Sequence, residues 1–181
     1  MQIELLAIKN SWLVSNPNFP DDRGIFLEWF NRSKIYEATG FDFEVQQSNI
    51  SKSRFGVVRG IHFSTSIIGQ AKLVTCLSGE IQDVIVDVNP HSDTFGMWED
   101  VTICEDSNTS VLIGPGMGHA FRCVSRTATV AYLLNSGYEP HQELCINAFD
   151  PFIGIDWKID SSNAIMSEKD FKAPNLKELF K

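Results

Sequence analysis

The chain has 181 residues, 43% of them hydrophobic and 21% charged, and its 15 Lys and Arg against 23 Asp and Glu give a formal net charge of −8. One domain spanning residues 1–181 accounts for that length, and the apolar fraction supports a buried core, which excludes intrinsic disorder. The acidic balance argues against non-specific nucleic-acid binding. The longest apolar run, Val130–Leu134, is far short of the roughly 18 residues of a membrane span, and the opening MQIELLAIKNSW lacks the pattern of a signal peptide.

In chain order, Ser33 is expected to cap a short helix running through Thr39, with Gly40 closing it. Val57 opens the segment VVRGIHF. If a strand begins there, strict alternation puts Arg59 and His62 on opposite faces, and a bulge at Gly60 would reunite them. Leu73–Ser78 and Ile81–Val88 read as strands around a Gly79-Glu80 turn. In the second, Val84, Val86 and Val88 share one face, and Asp83, Ile85 and Asp87 the other. Val101–Cys104, Ser110–Ile113, His119–Val124 and Ala128–Leu134 read as further strands. Ser167-Glu168-Lys169-Asp170 has the form of a capping box, and Pro174 limits the length of the helix it starts, so residues 167–181 form a helical tail of short pieces. Short strands between glycine turns indicate an all-β antiparallel sandwich or barrel with a few short helices.

Cys76, Cys104, Cys123 and Cys145 are widely spaced, without a CxxC pair. They read as reduced, packed thiols of a cytoplasmic protein. Of the four histidines, His91 and His141 lie in turn-like contexts beside prolines and are assigned to solvent. His62 is either a hydrogen-bonded core histidine or an acid–base group. Taken alone, His119 reads as an exposed residue after the glycine-rich turn GPGMG, Tyr132 as strand packing, and Lys72 as a solvated strand edge. His62 is followed two positions on by Ser64 rather than His, and no other His/Asp/Glu trio has ligand spacing, so no catalytic metal is expected. No GxSxG elbow supports covalent hydrolysis.

Together, DDRGIFLEWFN, QQSNISKS, GVVRGIHF, GQAKLVTCLSGEIQDVIVDV, SDTFGMWEDV, GMGHAF, AYLLNSGYEP, FDPFIGIDW and MSEKD, in order from Asp21 to Asp170, resemble the dTDP-4-dehydrorhamnose 3,5-epimerase family. The resemblance implies a cupin-type jelly roll, a homodimer exchanging an N-terminal strand, and catalysis without a cofactor. It implies His62 as general base, Asp170 as the carboxylate orienting it, Tyr132 as general acid and Lys72 as the group stabilising an enolate oxygen. Arg23, Phe26, Glu28, Gln47, Ser48, Asn49, Arg59, His119, Glu143 and Lys169 fall at nucleotide-sugar binding positions, and Tyr138 at the aromatic that stacks on thymine.

The implied reaction is epimerisation of a dTDP-4-keto-6-deoxyhexose at C3 and C5. HFSTSIIGQAK and AYLLNSGYEPHQEL look closer to epimerases of unusual deoxysugars, some of which invert one centre only. Three other readings are a mono-epimerase, a sugar-binding cupin without turnover, and a metal-dependent cupin oxygenase. The third is disfavoured by the missing His-x-His pair.

Overall fold

The computed structural model describes residues 1–66 and 69–180. Ile67 and Ile68 of the SIIG stretch, and Lys181 at the end of the expected tail, lie outside the described residues. The N-terminal third contains β1 (Gln2–Leu5), β2 (Ser11–Ser15), β3 (Asn18–Asp21), β4 (Gly24–Leu27) and helix α1 (Arg32–Thr39). The middle contains β5 (Gln47–Arg54), β6 (Val58–Ser64), β7 (Lys72–Ser78) and β8 (Glu80–Asp87). Beyond these lie β9 (Trp98–Cys104), β10 (Thr109–Ile113), β11 (Met117–Cys123), β12 (Thr127–Leu134), β13 (Glu143–Cys145) and helix α2 (Glu168–Phe171).

The strands form two main antiparallel sheets, ordered β1-β2-β10-β7-β12-β5 and β13-β6-β11-β8-β9, while β3 and β4 pair as a separate hairpin. This is the cupin-type β-sandwich. Its interior joins Val74, Val111, Ile113 and Val130 of the first sheet to Ile81, Ile85, Ile103 and Phe121 of the second. Val84, Val86 and Val88 face the other way and are buried beneath Ile146, Ile153, Trp157 and Leu176 of the C-terminal segment. Strand β8 is therefore buried on both faces, with Asp83 and Asp87 sharing one of them with Ile81 and Ile85. Helix α1 covers the outside of the six-stranded sheet by packing Ile35 near Leu73, Leu112 and Leu133.

Several local expectations are corrected. Asn31, not Ser33, caps α1: its side chain accepts from the Lys34 amide at 3.1 Å. Gly40 closes that helix in the left-handed region at φ 72°. Ser167 does cap α2, accepting from the Asp170 amide at 3.0 Å, but the Asp170 carboxylate turns instead to His62 and the Gly60 amide. Strands β1 to β5 and β13 are not among those the residue pattern indicates.

The expected bulge is present. His119 pairs with His62 and Phe121 with Arg59, so Gly60 and Ile61 of β6 stand opposite Ala120 alone. Gly60 has φ 109°, and a Cβ there would meet the His119 carbonyl oxygen at 2.6 Å. Only glycine allows this close approach of β6 to β11. Among the described residues, no helix is long and apolar enough to cross a membrane.

Candidate active site

The two sheets open at one end around a cavity of about 310 Å³, with a deeper recess of about 120 Å³ lined partly by the same residues. Strand β6 of one sheet supplies Arg59 and His62, one from each side of the bulge, and both line the cavity. Strands β7, β12 and β5 of the other sheet supply Lys72, Tyr132, Gln47 and Asn49. Tyr138, Glu143, Lys169 and Asp170 complete the expected residues around it. His119 lines the recess with Ser51 and Phe121.

At the centre of this wall, His62 Nε2 lies 2.8 Å from Asp170 Oδ1. Asp170 is buried, whereas 37% of the His62 side chain remains exposed. Burial pushes the Asp170 carboxyl up, but the His62 contact, the Cys145 thiol at 3.3 Å and the Gly60 amide outweigh it and hold it below the usual carboxylate range. The carboxylate holds a proton on Nε2, which leaves Nδ1 as the nitrogen with a free lone pair. In the first sheet, burial raises the Tyr132 hydroxyl above the usual phenol range despite the opposing effects of Arg59 and Asn49. The phenol is therefore protonated, and available as an acid, throughout neutral pH.

Two residues that looked solvated are buried. Lys72 begins the central strand β7, between β10 and β12, and is only 9% exposed. Burial lowers its pKa, partly offset by Glu143 and Asp83. His119 is also 9% exposed, because β11 runs between β6 and β8. Its Nε2 lies 2.6 Å from Oδ1 of the fully buried Asp83.

Side-chain bonds hold the rest of the rim. Gln47 donates to Asn49 at 3.0 Å and accepts from the Tyr138 amide at 2.9 Å, tying the Tyr138 loop to β5. Arg59 donates to Ser53 at 3.1 Å. Sequence reasoning missed Gln70, a buried lining residue that donates to Glu143 at 2.9 Å and Ser136 at 3.3 Å. Its place two residues before Lys72, hence on the same face of an extended segment, was the available signal.

Four expected residues are not brought to this cavity. Arg23 and Phe26 are exposed on the β3–β4 hairpin, where Arg23 pairs with Asp21. Glu28, just beyond it, is engaged by Lys34 at 2.8 Å. Ser48 alternates with Gln47 and Asn49, so it faces away.

The chain is similar to known proteins in both sequence and fold. The sequence model described as dTDP-4-dehydrorhamnose 3,5-epimerase matches residues 5–178. The Streptomyces griseus dTDP-4-dehydrorhamnose 3,5-epimerase is 40% identical over 174 residues, 96% of this chain and 86% of that protein. A dTDP-4-dehydro-6-deoxyglucose 3-epimerase from Streptomyces bikiniensis is also 40% identical, over 94% of this chain and 87% of its own length. A crystal structure of the Legionella pneumophila dTDP-6-deoxy-D-glucose-3,5-epimerase in complex with dTDP-4-keto-L-rhamnose superposes with a TM-score of 0.91 at 34% identity, covering 97% of this chain and 93% of that one. The chain belongs to the dTDP-4-dehydrorhamnose 3,5-epimerase family.

Proposed function

We propose that the chain epimerises a dTDP-4-keto-6-deoxyhexose at C3 and C5. The observation that carries this reading is a paired histidine on one sheet and a protonated tyrosine on the other, lining one cavity with a buried lysine in the same recess. A 4-keto group acidifies the C–H bonds at both neighbouring carbons. His62 Nδ1 takes a proton from one face, and Asp170 stabilises the imidazolium that forms. The electron pair moves onto the C4 oxygen as an enolate, where the Lys72 ammonium stabilises the charge at low local dielectric. Tyr132 returns a proton from the opposite face and inverts the centre. One proton leaves and one arrives, so the step needs no electron transfer.

Arg59, Lys169, Gln47 and Asn49 offer charge and hydrogen bonds to the nucleotide diphosphate, with Tyr138 placed to stack on the base. A homodimer is part of this proposal. The hairpin carrying Arg23 and Phe26 exposes Phe19, Ile25 and Phe26 together and lies outside its own cavity, so exchange with a second copy would let these residues complete the partner's site.

Inversion at one centre is the second reading, favoured by the equal 40% identity to the Streptomyces bikiniensis 3-epimerase. Incubation with dTDP-4-keto-6-deoxyglucose, chemical reduction at C4 and identification of the sugar separates the two. A 6-deoxy-L-hexose that is also inverted at C3 supports double inversion, a sugar altered at only one of the two carbons supports the second reading, and unchanged substrate refutes both.

A further inference from the structure

Cys145 has no part in the proposed proton transfers, yet it lies against the groups that make them. It ends β13, where its register partner on β6 is His62. Its Sγ is 3.3 Å from Asp170 Oδ1, the same oxygen that lies 2.8 Å from His62 Nε2. A ring nitrogen, a thiol sulfur and a carboxylate oxygen from three separate segments thus fall within 4.8 Å of one another. No other group of three such donors occurs among the described residues. Nitrogen, sulfur and oxygen together are the ligand set of a borderline-soft divalent cation, with bonds of roughly 2.0–2.3 Å. The cluster is closed on the protein side by the buried Cys145 and Asp170, while His62 opens on the cavity. His62 and Asp170 both line the cavity, so a cation can reach the cluster from that side.

We propose that His62, Cys145 and Asp170 form an inhibitory site for Zn²⁺ or a cation of the same class. The inhibition rests on the role proposed above for His62. Without the cation, Asp170 keeps the imidazole proton on Nε2 and the lone pair on Nδ1. A cation on Nε2 takes that nitrogen's lone pair, so the single proton of the neutral ring moves to Nδ1. The nitrogen that receives the substrate proton then already carries one. The cation also occupies the Asp170 oxygen that would stabilise the imidazolium. Binding releases one proton, from the Cys145 thiol.

Co²⁺ added to the full chain is the direct probe. A thiolate-to-cobalt charge-transfer band should grow to saturation at one equivalent, be displaced by Zn²⁺, and be absent in Cys145→Ser. Zn²⁺ should inhibit epimerisation reversibly, with EDTA restoring it and Mg²⁺ having no effect. Relative to its own metal-free rate, Cys145→Ser should need at least about tenfold more Zn²⁺. Should that variant not fold, His62→Ala, altered at the cavity wall, should bind Co²⁺ at least about tenfold more weakly. No band in the wild type, a band unchanged in Cys145→Ser, or unchanged Co²⁺ affinity in His62→Ala overturns the site. The band does not depend on turnover, so a failure of the epimerase reading would be seen separately.

Discussion

Replacing Gly60 by alanine tests whether the β6 bulge builds the site. The new methyl would stand 2.6 Å from the His119 carbonyl oxygen and 2.8 Å from both Cα and Cβ of Ala120. Ordinary contacts of this kind are near ~3.5 Å, so the strands must separate by about 0.7–0.9 Å. The crowded atoms belong to β11, which is held on its other side by β8 from Met117 to Cys123 and cannot swing aside. Crowding costs about 1–3 kcal/mol. A non-glycine residue at this φ adds about 1–3 kcal/mol. A total loss of about 2–6 kcal/mol is a large part of a typical stability of about 5–15 kcal/mol. The shift falls between Arg59 and His62, and a misplacement near 1 Å costs roughly 10²-fold in rate. Urea unfolding and turnover of the 4-keto sugar should both fall, with dTDP affinity better preserved because Gln47 and Tyr138 lie on other segments. Gly137→Ala is the control, since nothing lies within 4 Å of a Cβ there. A Gly60→Ala protein with wild-type stability and turnover would refute the argument.

Tyr132→Phe should keep the fold but let deuterium wash-in exceed inversion, because His62 still forms the enolate and reprotonation then returns from its own side; equal rates of the two by NMR would remove Tyr132 from the acid role. Lys72 supports the enolate only while protonated, and burial lowers its pKa, so activity should fall as pH rises through a value below the usual ~10.5. Lys72→Arg keeps its charge and should move that alkaline limb upward in a kcat/KM profile, whereas an unmoved limb would assign it elsewhere. Arg59→Ala should weaken dTDP binding in calorimetry by about tenfold or more. Arg23→Ala should also weaken it if the hairpin reaches a partner's site, and unchanged affinity in Arg23→Ala would argue against that exchange.

The central strands were legible because their residues obey simple patterns. In Ile81–Val88, Val84, Val86 and Val88 recur on one face and Asp83, Ile85 and Asp87 on the other, and both faces are covered. Strand β5 was not legible for the converse reason. Its inward residues are polar because Gln47, Asn49 and Ser51 line the site and Ser53 accepts from Arg59, while Ile50 is 64% exposed. Hydrophobic periodicity gives no strand signal in such a segment. Lys72 and His119 were misjudged from local context because their burial is set by distant partners: Asp83 is 36 positions from His119, and Glu143 is 73 positions from the Gln70 that holds it. The His62–Asp170 pair spans 108 positions, and only the family resemblance connected its two halves. The hairpin residues are different again. The resemblance places them in a binding site, whereas within one chain they stand apart from it.

The most direct test is deuterium counting on dTDP-4-keto-6-deoxyglucose incubated in D2O with the wild type and with His62→Ala. The wild type should incorporate deuterium at both C3 and C5, and His62→Ala should lose incorporation at both carbons by about 10²–10⁴-fold while still binding dTDP. Incorporation by His62→Ala at the wild-type rate, or none by the wild type at either carbon, would contradict the account.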